Sequence, residues 1–352
     1  RLTLHHHLHC LVAGGAWDAG AGVWRGAHGR FLFGKDALAA CFRARFINRA
    51  ESLRRRGKLR FAGEASPLAE PAAWVALVRR LWETNWVVYP KATSGTPVVV
   101  NYRGGEAEPF LRRSADRVRA TMGRAAMLVL PSGFLKDVFG RFGMEGRIVS
   151  NIIDLSRFRP SDPGRRPAAH IVVARNLETI YGIDTALRAF ARIAAARPEA
   201  VLSVAGTGPQ AGELQALARE LGVADKVRFT GRLDRDQMAA LYRDADLTLN
   251  PSRVDNMPNS VLEALASGVP TVTTDVGGIP YIVEHDVTAL MVPPDDPQAM
   301  AEAALRCLND PGLAARLSQA GQADVRRYAW SAVRNELLAA YADASAAARR
   351  RK

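Results

Sequence analysis

The sequence has few cysteines, few lysines and no long apolar run. Its three cysteines, Cys10, Cys41 and Cys307, are far apart and form no Cys-x-x-Cys pair. A disulfide framework or a zinc site is therefore not expected, and a reducing cytosol is the default. No stretch of about 18 apolar residues occurs, which excludes a membrane-spanning helix. Hydrophobic residues make up 48% and charged residues 24% of the 352 residues, a balance that excludes wholesale disorder.

Acidic residues are scarce in the first half of the chain. Residues 1–160 carry 26 basic and 12 acidic side chains, whereas residues 161–352 carry 22 and 23, so the net charge of +13 lies entirely in the first half. Only six of the 48 basic residues are lysine. The asymmetry favours an anionic partner of the first half, and drift in arginine composition is the alternative.

The beginning of the chain has two features of its own. The first residue is arginine rather than methionine, which suggests a processed or truncated product, and four histidines interrupt the apolar pattern that a secretory signal would need. His5, His6, His7 and His9 are potential metal ligands. A frayed terminus is the favoured interpretation of this cluster.

The second half alternates between strand and helix patterns with short connections. Apolar strands are predicted at 171–174, 201–205, 227–230, 247–250, 271–274 and 289–292, with helices over 184–196, 214–221, 237–244, 261–266 and 297–308. This alternation predicts a doubly wound parallel sheet, whose ligands bind at the carboxyl ends of the strands. The middle of the chain shows the same alternation, with strands predicted at 96–101, 127–130 and 148–150 and helices at 108–123 and 133–142.

The first ninety residues are much less regular. A helix is predicted over 67–82 and strands over 59–62 and 86–89, whereas the glycine-rich stretch 14–22 has no clear strand before it.

The segment 250–278 holds the most informative chemistry. A strand ends at Asn250, a polar loop carries Asp255, and Pro258 is placed to be the first residue of a helix. The free N–H groups of Asn259 and Ser260 would then form an anion site suited to a diphosphate. Glu263 lies among apolar residues of this helix and needs a partner such as a ribose diol.

This segment resembles family 4 of the retaining glycosyltransferases. The acidic-x7-acidic spacing of Asp255 and Glu263, with PNS inside it and LEALASGVPTVTTDVGG after it, carries the resemblance, supported by VAGTGP at 204–209 and FTGRL at 229–233. The resemblance is strong over 171–333, weaker back to residue 96 and absent from 1–90. It implies an α/β GT-B fold of two Rossmann-like domains facing a cleft, the first of them incomplete. The implied domains are an acceptor-side domain over 1–163, a donor-binding domain over 164–330 and a C-terminal helix over 331–352 that packs back toward the first.

The resemblance also implies roles for individual residues. Glu263 would bind the ribose of a nucleotide sugar, Asp255 stands where the family usually has Glu near the transferred sugar, and Arg175 would grip the diphosphate. The lysine that usually precedes the glycine equivalent to Gly182 is replaced here by Tyr181. The remaining donor-binding candidates are Gly206, Gly208, Arg253, Asn259, Ser260, Gly277 and Gly278.

The acceptor half departs from the family pattern. No histidine lies between His28 and His170, so the family's first-domain histidine is missing. Arg103, Gly104 and Gly105 follow a predicted strand end and are the acceptor-side candidates, because paired glycines let the backbone approach a ligand.

The implied function is a metal-independent, retaining hexosyltransferase of cell-surface polysaccharide or glycolipid synthesis. The expected partners are a nucleotide-diphosphate sugar (a UDP-sugar by default), a glycan or lipid-linked acceptor, and an anionic membrane surface at the cytoplasmic face; no cofactor is expected. Three alternatives remain: a sugar-nucleotide epimerase of the same fold, a truncated or non-catalytic nucleotide-sugar or glycan-binding protein, and a nucleic-acid binder. The nucleic-acid alternative rests on charge alone, so nucleic acid is not an expected partner.

Overall fold

The computed structural model describes residues 15–18, 23–26, 51, 54, 69–76, 98–104, 106–123, 125–160 and 169–350. The chain divides into two compact units, Arg1–Val98 and Val99–Lys352. The division lies at the start of a strand, whereas the sequence places its domain boundary after residue 163.

In the first unit, two short strands pair in an antiparallel ladder. β1 (Gly15–Asp18) lies opposite β2 (Val23–Gly26), with Gly15 facing Gly26. The sequence did not predict this pair, because four-residue strands in a glycine-rich stretch carry too little alternation. Residues 71–76 are helical, within the helix predicted over 67–82; the rest of that helix and the strands predicted at 59–62 and 86–89 lie outside the described residues.

The second unit begins with a three-stranded parallel sheet. β3 (Val99–Asn101), β4 (Met127–Leu130) and β5 (Arg147–Ile148) pair in chain order. Helix α1 (Ala107–Met122) follows β3 and helix α2 (Gly133–Arg141) follows β4. These elements confirm the strand–helix alternation predicted for this segment, since apolar strand residues such as Leu128 and Val129 are buried.

A six-stranded parallel sheet forms the larger part of the second unit. Its order is β11-β10-β9-β6-β7-β8, in which the chain runs outward from β6 to one edge and then from β9 to the other. The strands are β6 (His170–Ala174), β7 (Val201–Ala205), β8 (Val227–Gly231), β9 (Leu247–Asn250), β10 (Thr271–Thr274) and β11 (Leu290–Val292). The helices are α3 (Ile183–Ala196), α4 (Ala211–Glu220), α5 (Arg235–Arg243), α6 (Asn259–Ala266), α7 (Pro297–Asn309) and α8 (Pro311–Val325).

Two apolar cores pack against this sheet. One is built around α3 and α7 and includes Phe190 and Met300; the other lies under α5 and α6 and includes Tyr242 and Leu262. Burial on both faces explains why the strands have near-continuous apolar patterns.

The final helix, α9 (Trp330–Arg350), returns to the first sheet of this unit. Its Val333 and Ala340 pack with Val129 and Val149, and Arg147 forms an ion pair with Asp343. No helix in the described part of the chain is long and apolar enough to cross a membrane.

Candidate active site

The candidate site lies where the strand order of the six-stranded sheet reverses. β6 and β9 are neighbours in the sheet, but their following connections run to opposite sides. Arg175 follows β6 directly, and Asp255 lies in the loop after β9. Such a switch point leaves a crevice at the carboxyl ends of the strands, which is the usual ligand position in open parallel sheets.

A nearly buried ion pair occupies the floor of this crevice. Arg175 Nη2 donates to Asp255 Oδ2, and the two side chains are 11% and 9% exposed. The other oxygen, Oδ1, accepts a hydrogen bond of 3.0 Å from the backbone N–H of Asn256. Burial raises the pKa of the Asp255 carboxyl, and the Arg175 charge opposes that rise. Both carboxylate oxygens are thus engaged within the protein.

The N-terminus of α6 lies next to this pair. Pro258 occupies the N-cap position, with no side chain capping the helix, and Asn259 is the first helical residue. Pro258 was predicted as the first helical residue, but it lies one position before the helix because its ψ of 120° is extended. Arg175 Nη1 donates to Ser260 Oγ at 3.3 Å. An arginine therefore lies beside an uncapped helix N-terminus, where backbone N–H groups favour an anion.

Glu263 lies one turn further along the same helix. Burial raises the pKa of its carboxyl to about 7, while the charges of Arg235 and Arg175 and a hydrogen bond with Tyr242 oppose the rise. A carboxyl with such a pKa carries its proton half of the time at neutral pH. It can accept two hydroxyl donors once it is ionised.

The four candidate glycines fix the loops that carry these residues. A Cβ at Gly206 or Gly208 would meet the backbone carbonyl of Arg175 or Leu177. On the other side of the crevice, a Cβ at Gly277 or Gly278 would meet the carbonyls of Asp255 and Asn256, and the Gly278 N–H donates to the Asp255 carbonyl at 2.9 Å. Their close backbone approach holds the Arg175 and Asp255 loops in place.

Arg253 belongs to a separate network of hydrogen bonds and ion pairs. Its Nη2 donates to Asp184 at 2.8 Å and its Nε to Asp295 at 2.6 Å, while Nη1 donates to the Thr179 carbonyl. The hydrogen bond with Asp184 raises the pKa of the Arg253 guanidinium above its ordinary value. Arg253 thereby links its own loop to the segments that carry Thr179, Asp184 and Asp295. Its part in donor binding stays a prediction.

Two loops of the three-stranded sheet contact the loop before α6 and its first residue. Arg103 Nη1 donates to Asn151 Oδ1, and Asn151 Nδ2 donates to the Met257 carbonyl and to Asn259 Oδ1, both at 2.9 Å. Gly104 accepts a hydrogen bond from the Asn256 amide at its carbonyl. Gly105 lies outside the described residues. Asn256 was not predicted from the sequence, because an asparagine three positions before a helix is typical of an ordinary turn.

The described residues contain no group of three or more histidine, cysteine or carboxylate side chains that could hold a metal ion. Two Asp-x-Asp sequences, at 234–236 and 244–246, serve the local structure. Asp234 caps α5 with a reciprocal bond to Gln237, and Asp246 accepts the His170 N–H at 2.7 Å. The four histidines at the start of the chain lie outside the described residues.

Comparison with known sequences gives a match for the second half of the chain. Residues 160–324 match the sequence model of the family described as Glycosyl transferases group 1. D-inositol 3-phosphate glycosyltransferase of Saccharomonospora viridis is 34% identical over 58% of this chain and 51% of its own length. Glycogen synthase of Mycobacterium tuberculosis is 33% identical over 53% of this chain and 46% of its own. The chain thus spans about half the length of these relatives.

Solved structures share the fold of much of this chain. Sucrose-phosphate synthase of Thermosynechococcus elongatus superposes with a TM-score of 0.63 at 23% identity, over 78% of this chain and 72% of that one. Anabaena HepE, solved with UDP-glucose, gives 0.63 at 19% identity over 70% and 72%. The predicted fold class, α/β GT-B with parallel sheets, is confirmed.

The start of the chain matches a different family. Residues 1–104 match a sequence model described as a putative transposase. This stretch ends before the group 1 match begins at residue 160, and it covers the ninety residues in which the glycosyltransferase resemblance is absent.

Proposed function

We propose that this protein binds a nucleotide-diphosphate sugar and transfers its sugar to an acceptor hydroxyl. The observation that carries the proposal is the environment of Arg175. Its guanidinium is largely buried beside the uncapped N-terminus of α6, and its Nε has no hydrogen-bond partner in the structure. A buried cationic N–H donor at a helix N-terminus is matched to phosphate oxygens.

The neighbouring residues supply the other half of the donor. Glu263 lies one turn from Ser260 on α6, where its carboxylate can accept both hydroxyls of a ribose while the diphosphate lies at the helix N-terminus. HepE, a structural neighbour of low identity, was solved with UDP-glucose, and UDP-sugars are the first donors to test.

The proposed chemistry is a substitution at the anomeric carbon. The bond from that carbon to the leaving phosphate oxygen breaks, a bond to the acceptor oxygen forms with retained configuration, and the acceptor proton passes to the departing phosphate. Arg175 and the backbone N–H groups of Asn259 and Ser260 would stabilise the charge on the leaving diphosphate. These fixed positive groups support metal independence. Asp255 would contribute by holding Arg175, because both of its carboxylate oxygens are engaged.

A donor panel tests this function. The purified chain is incubated with UDP-, GDP- and ADP-sugars, with and without EDTA, while nucleotide release and affinity are recorded. We expect release from one donor that survives EDTA and is lost in Arg175→Ala and Glu263→Ala. Arg188→Ala, an exposed arginine on α3, is the matched control and should behave as wild type. No affinity for any of these donors would refute the proposal.

The acceptor is proposed from charge. Residues 1–160 carry 26 basic and 12 acidic side chains. This positive charge favours, as the acceptor, a lipid-linked or anionic glycan at the cytoplasmic face of a membrane. Sedimentation with vesicles of anionic or zwitterionic lipid tests this; binding that ignores lipid charge and salt would remove the idea.

A second candidate is donor binding without transfer. It is favoured by the described part of the acceptor half, a sheet of three strands over 99–148, and by the transposase match of the residues before it. Tight binding of one nucleotide sugar with no release in the presence of glycan or lipid-linked acceptors would establish this alternative.

A third candidate concerns residues 1–104 alone. This segment carries 16 basic and 6 acidic residues, and its transposase match adds a second observation to charge in favour of nucleic-acid binding. Titration of the full chain with single- and double-stranded DNA at several salt concentrations decides the matter. Affinity for DNA no greater than for heparin at the same salt would argue against this role.

A further inference from the structure

The aromatic ring of Tyr181 lies over the guanidinium of Arg175. The Cζ atom of Arg175 is 4.2 Å from the centroid of the ring, within the distance at which a cation and an aromatic face attract each other. Tyr181 also packs against the apolar core around α3. The ring therefore contacts both the core and the cation.

The backbone around Tyr181 leaves it little freedom. Tyr181 ends a short 3₁₀ turn, Thr179–Tyr181, and the next residue, Gly182, has a φ of 60°. A Cβ at Gly182 would meet the carbonyl oxygen of Pro251, and the Ile180 carbonyl accepts the Arg253 N–H at 2.8 Å. The turn is thus fixed against the loop that follows β9, the same loop that carries Asp255.

Arg175 is held on three sides. Asp255 binds Nη2, Ser260 lies at Nη1, and Tyr181 covers the face of the guanidinium, while Nε has no hydrogen-bond partner. Burial raises the pKa of the Tyr181 hydroxyl, so the ring stays a neutral phenol at any physiological pH. A neutral side chain cannot replace the charge of the lysine expected here. What it can do is fix the direction of the arginine.

We propose that Tyr181 is a positioning residue that orients Arg175 toward the diphosphate. Together with Asp255 it forms a clamp on one guanidinium, so that one oriented arginine serves where the family resemblance implies an arginine and a lysine. This inference rests on the proposed donor function and specifies how the site achieves it. It also accounts for the aspartate at 255, whose short side chain meets Arg175 while its Oδ1 bonds to the backbone of the same loop.

The test compares UDP with uridine, which lacks the diphosphate. Affinities are measured by calorimetry for wild type, Tyr181→Phe and Tyr181→Leu, and for both substitutions in an Arg175→Gln background. We expect Tyr181→Phe to stay within about twofold of wild type, since the ring remains. Tyr181→Leu should weaken UDP about tenfold, or about 1.4 kcal/mol, and leave uridine unchanged. In the Arg175→Gln background, Tyr181→Leu should have no further effect.

Tyr328 provides a matched control. It pairs with Arg327 at 4.7 Å, outside the Arg175 site, and its ring is buried. Tyr328→Leu should lower the thermal midpoint without lowering UDP affinity at a temperature where every variant is folded.

The failures of the two proposals are distinguishable. Wild type that binds neither UDP, GDP nor ADP overturns the donor function and this inference with it. Wild type that binds UDP while Tyr181→Leu binds it equally well overturns only the role of Tyr181. If Tyr181→Leu lowers the affinities for UDP and uridine equally, Tyr181 has only a structural role. The same conclusion follows if Tyr181→Leu lowers UDP affinity as much in the Arg175→Gln background as in wild type.

Discussion

Donor affinity should depend on pH through Glu263. Burial raises the pKa of this carboxyl to about 7 in the empty site. Ribose hydroxyls are donors and bind best to the ionised form. With a pKa near 7, roughly one tenth of the carboxyls are ionised at pH 6 and roughly nine tenths at pH 8. Since the apparent dissociation constant scales inversely with the competent fraction, UDP-glucose should bind about tenfold more tightly at pH 8 than at pH 6.

Calorimetric titration with UDP-glucose between pH 6 and pH 8 measures this effect. The diester diphosphate of UDP-glucose keeps its charge over this range, so the ligand itself contributes no titration. The charged groups facing Glu263 are Arg235 and Arg175. Tyr242 also faces it, and burial raises the pKa of its hydroxyl well above the ordinary value. Glu263→Gln should bind more weakly and with no pH dependence. An affinity that falls as pH rises, or an equal slope in Glu263→Gln, would refute the reasoning.

The same carboxyl should affect stability in the opposite sense. Its pKa is about 7 when folded and about 4.5 when unfolded, so the folded state holds the proton more tightly. The stabilisation is complete below pH 4.5 and is lost as pH rises toward 7, by at most about 3 kcal/mol. Urea unfolding of wild type and Glu263→Gln across this window should diverge by up to that amount, and parallel curves would show that Glu263 is not protonated in the fold.

Three further substitutions test the scaffold of the site. Gly278→Ala places a Cβ against the Asn256 carbonyl, so it should lower the free energy of urea unfolding by more than about 2 kcal/mol and weaken UDP binding. The control is Gly212→Ala on α4, whose Cβ meets no atom, so the change should be neutral or stabilising. Asn151→Ala removes the link between Arg103 and α6 and should cost about 1–3 kcal/mol of unfolding free energy; a change under about 0.5 kcal/mol would show that water replaces it. Asp234→Ala breaks the capping box of α5 and should lower the thermal midpoint by the equivalent of about 1 kcal/mol, with UDP affinity unchanged.

Elements with strong local patterns were predictable from sequence. β4 and β10 were predicted at their observed bounds, because each is a short run of apolar or β-branched residues between turn residues. α3 begins one residue before its predicted start, since Gly182 ends one turn and begins the next. The pair of β1 and β2 was missed because each strand has only four residues and lies in a glycine-rich stretch.

The candidate site was predictable only in part. Asp255 was identified by its position after a strand and Arg175 by the family resemblance, but sequence spacing could not reveal an ion pair across 80 residues. The departure at Tyr181 was visible as a missing lysine, whereas its contact with Arg175 depends on the tertiary position of the 3₁₀ turn. The ion pairs of Arg253 with Asp184 and Asp295 likewise depend on the loop after β9 meeting the first turn of α3 and the loop before α7 in space.

The packing of α9 has a consequence for the order of assembly. Val129 and Val149 are covered by Val333 and Ala340, which the ribosome adds nearly two hundred residues later. Until then, this cluster of the three-stranded sheet lacks Val333 and Ala340, while the part of the unit built on the six-stranded sheet can already close its own cores. Contacts of such long sequence separation form late and leave aggregation-prone surface exposed meanwhile. Chains that stall before residue 330 should therefore be the species that chaperones and proteases meet first.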